Sequence, residues 1–357
     1  MTTEPARVAE AKMQTLQGIQ YLRAIAALAV VLFHAAERSD VNFAIGAAGV
    51  DVFFVISGFI MVVISHRRPQ TPGAFLKDRF LRIAPVYWIV TSVMILGAAA
   101  GLFPNLVLDP LHVLGSYLFL PIASPNGGAL WPVLVQGWTL NYEMFFYVSF
   151  AAALVFPERF RLPLLSLAFP GLVLAAMLTR SSDVWASFYG APLILEFLVG
   201  VCLGRAWLKG LTPGAETGFG LIVAATLAFA TIFILPFGAW ICGPLALASV
   251  IGILSLEKEE ALPNLPLLSY LGDASFSIYL WHTLAISVVV KFLPLAGMEG
   301  WLLAWAAAIT GTALGVVAYE AVERPLQHLL KHGRLSFRLP KRQTAEGALS
   351  VRSDPHA

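Results

Sequence analysis

The stretch YLRAIAALAVVLFHA, residues 21–35, decides the fold class of this chain. It belongs to an apolar run long enough to form a helix across the hydrocarbon core of a membrane, which takes about 20 residues. Yet it carries Arg23 near its start and His34 near its end. Ionisable groups inside such a helix are unfavourable unless they face a cavity or a partner. The stretch therefore predicts a membrane helix that also carries function.

The composition of the whole chain agrees with a membrane protein. Of its 357 residues, 58% are hydrophobic and 12% are charged, whereas a soluble domain has roughly 25% charged residues. The two cysteines, Cys202 and Cys242, lie inside apolar runs, and their spacing predicts neither a disulfide framework nor a metal site. We expect a protein of the lipid bilayer, with no bound metal and no nucleic-acid partner.

Apolar runs along the chain predict an all-α integral membrane protein, a bundle of about ten transmembrane helices. A shorter run at 111–122 ends at Pro121 and is too short to cross, which favours a re-entrant or interfacial segment. The ten predicted spans fall near 18–37, 48–66, 83–103, 138–157, 162–179, 188–208, 217–235, 238–256, 268–292 and 300–324.

The placement of lysine and arginine predicts the orientation of this bundle, because cytoplasmic loops carry an excess of both residues. With the N-terminus in the cytoplasm, most of these residues fall on the inner side, so both termini are predicted to be cytoplasmic. Residues 1–15 form a short polar segment, 16–330 the transmembrane domain, and 331–357 a basic tail that we expect to be disordered.

Ionisable residues recur inside the predicted spans. Arg23 and His34 are eleven positions apart, so they share one helix face with an axial separation of about 16 Å. Taken singly, Arg23 would be an interfacial arginine and His34 a histidine at the outer helix end. Glu143 lies about two turns inside the fourth span, where a carboxylate needs a cation, a histidine or water. Trp138 and Tyr142, at the outer end of that span, match an aromatic interface belt.

Arg79 and Arg82 are three positions apart and lie on one face of a helix that enters from the cytoplasm. Two guanidinium groups on that face suit a phosphate-bearing ligand that arrives from inside. The alternative is a pair that serves only to orient the protein in the membrane. By itself, the spacing of Arg79 and Arg82 favours the second interpretation, in which they only orient the protein in the membrane.

Polar residues also occur in the last two spans and in the second. SFSIYLWH, residues 275–282, holds Ser277 and His282, which are most simply a serine bonded to its own helix and an interfacial histidine. YEAVERPL, residues 319–326, holds Glu323 and Arg324, most simply part of a structural ion-pair clamp. GVDVFFVISGF, residues 49–59, we interpret as mainly structural, with small residues that permit close helix packing.

Taken in order, these motifs resemble the membrane acyltransferase family 3, whose members O-acylate sugars, cell-wall polymers and some antibiotics. The likeness covers about residues 16–330. It depends on an arginine, ten residues and a histidine in the first span, GVDVFFVISGF, an Arg-x-x-Arg pair, GWTLNYEMFFY, SFSIYLWH and ERP. Within the family, the segments GVDVFFVISGF and GWTLNYEMFFY are most similar to the stand-alone exopolysaccharide acetyltransferases of the succinoglycan type.

The resemblance implies that His34 is the central catalytic residue and Arg23 its motif partner, and that Arg79 and Arg82 handle an acyl-CoA donor. We expect Arg23 to bind the donor phosphates together with Arg79 and Arg82. Glu143 matches the acidic position of the family motif and is the second catalytic candidate. The acyl-CoA, acetyl-CoA by preference, is a donor substrate and not a permanently bound cofactor. The residues implied to bind substrate or support the site are Trp138, Tyr142, Ser277, His282, Glu323 and Arg324.

The resemblance implies a polysaccharide or lipid-linked oligosaccharide acceptor, the bacterial inner membrane as location, and polysaccharide-export machinery as a partner. We expect His34 to act as general base on the acceptor hydroxyl, with Glu143 orienting it. Direct transfer and an acyl-histidine intermediate both stay open. The alternatives are a transporter or flippase for a glycan or anionic substrate, for which interrupted helices in two corresponding halves are not evident, and a non-catalytic scaffold.

Overall fold

The computed structural model describes residues 16–103, 105–179, 183–231 and 238–332, and within these ranges the secondary structure is helical with no β-strand. The predicted segment 1–15 and nearly all of the predicted tail lie outside the described residues. The helices are α1 (Gln17–Glu37), α2 (Gly49–Arg67), α3 (Pro72–Ala99), α4 (Pro110–Tyr117), α5 (Gly137–Leu154), α6 (Glu158–Thr179), α7 (Val184–Tyr189), α8 (Ile194–Leu208), α9 (Ala215–Thr231), α10 (Ala239–Lys258), α11 (Pro266–Phe292), α12 (Gly300–Ala318) and α13 (Arg324–His332).

Each of the ten predicted spans contains a long helix, and seven stretches in the described ranges are long and apolar enough to cross a membrane. They contain α1, α2, α3, α6, α10, α11 and α12, whereas α5, α8 and α9 do not meet both criteria. The all-helical, multi-pass character is thus confirmed, while the number of ten spans and the orientation stay predictions. With eight residues, α4 is too short to cross.

Helix α3 starts eleven residues before the predicted span at 83–103. The hydroxyl of Thr71 accepts a hydrogen bond from the backbone N–H of Ala74 at 3.3 Å and caps the helix there. The added turns are charged and therefore invisible to a search for apolar runs. They carry Arg79 and Arg82, so these arginines belong to the same rigid helix as the predicted span.

The core of the bundle is built around α2, which packs against α1, α8 and α10. A Cβ added to Gly58 would overlap the backbone of Phe197, and one added to Gly200 would overlap the backbone of Val55. The backbones of α2 and α8 are therefore in direct contact, a close approach that only glycine permits at these positions. This confirms Gly58 as a close-packing residue. On the other side, α11 packs against both α1 and α12.

Tyr142 lies inside the bundle and not in an aromatic belt at the membrane surface. Its side chain is 3% exposed, and its ring stacks on Phe188 with ring centres 4.3 Å apart. Its hydroxyl donates to the backbone oxygen of Phe188 at 2.5 Å, which ties α5 to α7. Trp138 packs edge-on against Tyr142 at 5.9 Å. The predicted belt role of Tyr142 is wrong because the short helix α7 covers it.

Candidate active site

A cavity of about 520 Å³ extends along α2. Its wall includes α2 residues from Val50 to Arg67, a stretch of about 26 Å at 1.5 Å per residue. At one end Arg67 and Arg68 are exposed, whereas at the other end Thr139 and Tyr279 are only 5% and 8% exposed. The cavity thus opens at the arginine end of the bundle, and we call it the arginine cavity. Its charged lining residues are Arg23, Arg67, Arg68, Asp78, Arg79, Arg82, Glu143 and Asp273.

Three predicted arginines meet at this cavity although they come from two helices. Arg79 and Arg82 extend from α3 and are half-buried, and Arg23 comes from α1. Arg23 donates to the side chain of Gln20 at 3.2 Å, and Nε of Arg79 has no hydrogen-bond partner in the part of the chain that the structure describes. Guanidinium groups with donors to spare, facing a cavity, have the chemistry that suits an anion such as phosphate.

Glu143 also faces the arginine cavity. Its carboxylate accepts a hydrogen bond from the Ser57 hydroxyl at 3.2 Å and a short one from the Tyr147 hydroxyl. Arg23 is near enough to interact with Glu143 electrostatically. The interpretation of residues 49–59 as mainly structural is therefore incomplete, because Ser57 contributes to the cavity. The spacing of four between Glu143 and Tyr147 could have indicated their contact, whereas no sequence signal links either residue to Ser57.

His34 and His282 lie face to face at a different place in the bundle. Their ring centres are 5.3 Å apart with the planes 27° from parallel, and we call them the histidine pair. Nδ1 of His34 lies 3.6 Å from a carboxylate oxygen of Glu37, one helical turn away. His282 is fully buried, so its interpretation as an interfacial residue is wrong. Sequence reasoning missed Glu37, although its spacing of three from His34 could have indicated the contact.

The hydrogen bonds of His282 define which ring nitrogen carries the proton. Nδ1 lies 3.1 Å from the backbone oxygen of Ile278. A carbonyl oxygen only accepts, so Nδ1 is the donor and Nε2 of the neutral ring is an acceptor. Within the described residues Nε2 has no hydrogen-bond partner. The two stacked rings therefore present a candidate acid–base site, with His34 the member that has a carboxylate beside it.

Tyr279 is near both the arginine cavity and the histidine pair. It lines the cavity, and its ring centre is 6.1 Å from that of His282. Its hydroxyl lies 2.9 Å from the Thr139 hydroxyl and 3.2 Å from the backbone oxygen of Gln136. Among the described residues that line the cavity, neither His34 nor His282 occurs. The cavity thus reaches Tyr279 but not His34.

The remaining predicted residues form contacts at the arginine end of α11 and α12. Ser277 donates to the buried carboxylate of Glu323 at 2.6 Å, so the prediction that it bonds to its own helix is wrong. A π-helical turn at Tyr319–Glu323 precedes α13, and such turns are frequent at functional sites. Arg324 forms an ion pair with Glu320 at 2.8 Å, which confirms a structural ion pair there.

Fold and site together define a multi-pass membrane protein with an arginine-lined cavity and a pair of stacked histidines, of which His282 is buried. The acyltransferase-3 family, described as an acyltransferase domain, matches residues 16–320, and the chain belongs to this family. The exopolysaccharide production protein ExoZ of Rhizobium meliloti (strain 1021) is 52% identical over 85% of this chain and 96% of its own length. No solved structure matches the chain significantly.

Two more distant relatives are also named for acyl transfer. BcsY of Komagataeibacter xylinus, named as a candidate membrane-bound transacylase, is 28% identical over 86% of this chain and 81% of its own length. A candidate O-acetyltransferase of Staphylococcus aureus (strain COL) is 24% identical over 79% of this chain and 52% of its own length. With the family assignment, these relatives make the chain an O-acyltransferase, which decides against the transporter and scaffold alternatives.

Proposed function

We propose that this protein transfers an acyl group, acetyl by preference, from cytoplasmic acyl-CoA to a hydroxyl of an exopolysaccharide or lipid-linked oligosaccharide. The observation that carries the proposal is the position of the closed end of the arginine cavity, next to the histidine pair. Similarity to ExoZ, an exopolysaccharide production protein, supports a polysaccharide acceptor.

The arginine cavity suits the donor. Arg79 and Arg82 line it, and the phosphates of CoA would bind there through charge-assisted hydrogen bonds. The cavity continues for about 26 Å along α2, so an extended pantetheine arm could place the thioester at the closed end. Glu143 lies in the same cavity and balances part of the arginine charge. Its hydrogen bonds to Ser57 and Tyr147 support a role in shaping the donor site, rather than in orienting His34.

The histidine pair suits the acceptor chemistry. The proton of the acceptor hydroxyl moves to His34 as the hydroxyl oxygen attacks the thioester carbonyl carbon. The tetrahedral intermediate then expels the CoA sulfur, and the imidazolium returns the proton to it. Glu37, 3.6 Å from Nδ1 of His34, stabilises the imidazolium formed in between. We therefore propose that Glu37, and not Glu143, orients His34 and stabilises its imidazolium.

The proposed setting is the bacterial inner membrane with the arginine end facing the cytoplasm, where acyl-CoA is made. In this orientation His34, Glu37 and His282 lie toward the external half, from which an acceptor could approach. Polysaccharide-export machinery would then deliver the acceptor. The positively charged segments at the arginine end support this orientation.

The test uses a deletion strain as the source of acceptor. Membranes with the wild-type protein are incubated with acetyl-CoA labelled in the acetyl group and with surface polysaccharide from the deletion strain. We expect label in the polysaccharide, and none with membranes that lack the protein. If polysaccharide from the deletion strain retains its full acetyl content and accepts no label, the proposed function is wrong.

A further inference from the structure

We infer that Tyr279 is a specificity-determining residue of the donor site, whose ring ends the arginine cavity and restricts the donor to short acyl chains. The inference depends on the proposed function, because it assumes that the arginine cavity holds acyl-CoA. It names the class of donor that the site accepts.

The position of Tyr279 along α11 supports the inference that its ring ends the arginine cavity. Ser275, Phe276 and Tyr279 line the cavity, whereas His282 does not. Three residues of α-helix correspond to a rise of about 4.5 Å, so the cavity ends within one helical turn of the histidine pair. A donor thioester at the closed end would thus lie against the ring of Tyr279, with the imidazole of His282 behind that ring.

The ring is held in place from two helices. Its hydroxyl bonds to Thr139 of α5 and to the backbone oxygen of Gln136, which precedes α5. The Gln136 side chain in turn donates to the Thr283 hydroxyl on α11 at 2.5 Å. Phe53 of α2 packs edge-on against the ring, with centres 6.2 Å apart. In the arrangement that the structure shows, these contacts hold the buried ring in one position, as a wall at the end of the cavity.

The ring of Tyr279 limits the room for the acyl group of the donor. With the phosphates on Arg79 and Arg82, the acyl group is the leading end of the donor and points at Tyr279. The methyl of an acetyl group needs little room beyond the thioester carbonyl, whereas each further methylene must displace the ring or fold back. The carbonyl reaches His34 when the ring turns aside, and the hydroxyl contacts with Thr139 and Gln136 close the wall again afterwards.

The experiment compares acyl-chain preference in wild type, Tyr279→Ala and Tyr279→Phe, with each protein in nanodiscs. The donors are acetyl-, butyryl- and octanoyl-CoA, and the acceptor is de-O-acetylated surface polysaccharide from the deletion strain. Pocket-size discrimination is typically about ten-fold or more. We therefore expect wild type to favour acetyl-CoA over octanoyl-CoA by at least that factor in kcat/KM, and Tyr279→Ala to lose most of the preference. Tyr279→Phe keeps the ring and should keep the preference.

Tyr270→Ala is the matched control. Tyr270 lies on the same helix, bonds to Glu320 and does not line the cavity in the part of the chain that the structure describes. It should leave the ratio between the two donors unchanged. If Tyr279→Ala folds poorly, judged by its elution and thermal melting in detergent, Tyr279→Leu replaces it.

Displacement of labelled acetyl-CoA by octanoyl-CoA gives the same comparison without turnover. It covers the case of a folded variant that no longer transfers. An unchanged octanoyl-to-acetyl ratio in folded Tyr279→Ala would overturn the inference, as would a wild type that uses both donors equally. Wild-type protein that neither binds nor uses any acyl-CoA would instead overturn the proposed function.

Discussion

Replacing both Arg79 and Arg82 with alanine tests the donor site most directly. Both side chains extend from α3 into the arginine cavity, and Nε of Arg79 has no hydrogen-bond partner among the described residues. The double variant removes two guanidinium groups, and the buried carboxylate of Glu323, which Arg82 stabilises electrostatically, keeps its hydrogen bonds from Ser277 and Gln327. We expect a higher KM for acetyl-CoA with little change in kcat, because the phosphates bind equally in the ground state and the transition state.

The size of the effect follows from the exposure of the two arginines. Hydrogen bonds to charged groups contribute about 1.5–3 kcal/mol, and the lower end applies here because both side chains are only half-buried. Since 1.4 kcal/mol is ten-fold in affinity, each arginine should contribute about ten-fold. The two positions are adjacent on one face, so about 100-fold is an upper value for the double variant.

Initial rates are measured against acetyl-CoA and against acetyl-pantetheine, which lacks the nucleotide phosphates. Wild type should favour acetyl-CoA by a factor similar to the loss in the double variant, and the double variant should not distinguish the two donors. A double variant of Arg159 and Arg161, which lie outside the arginine cavity, is the control for loss of two positive charges. Retained discrimination between the donors in the Arg79 and Arg82 variant would refute the phosphate role.

Three further predictions concern the acceptor side and the fold. His34→Ala should abolish transfer while acetyl-CoA still binds, as measured by displacement of labelled donor; wild-type transfer rates would exclude His34 as the base. Glu37→Gln should lower kcat less than about five-fold, because an exposed ion pair contributes about 0.2–1 kcal/mol, and a loss above 100-fold would show that Glu37 takes part more directly. Gly200→Leu should prevent α2 and α8 from packing and abolish folded protein in detergent, whereas Gly220→Leu on α9, where an added Cβ meets nothing, should give wild-type yield.

Much of the site could be found from sequence wherever the relevant residues share one helix. Arg79 and Arg82 are three positions apart, so helical geometry alone puts both on one face, and the structure shows both at the cavity. The same rule could have linked His34 to Glu37 and Glu143 to Tyr147. In each of these cases the information lies within one or two turns.

Residue spacing within one helix could not predict contacts between different helices. Ser57 and Glu143 bond to one another across 86 positions, and nothing in either segment indicates the other. Tyr142 illustrates the opposite error, since its place at a predicted helix end suggested a membrane interface. The packing of α7 over α5 buries it instead, and a six-residue helix gives little sequence signal of its own.

The sequence by itself determined that the chain is a helical membrane protein, where its long helices fall, and which arginines and histidine stand out in apolar surroundings. Those properties follow from hydropathy and from the 3.6-residue period, which are local. Only the tertiary structure decided that His282 stacks on His34, that Glu143 belongs to the arginine cavity, and that Tyr279 is near both the cavity and His282. These relations depend on how helices distant in the chain approach one another, and that approach is set by close contacts such as the one between Gly58 and Gly200.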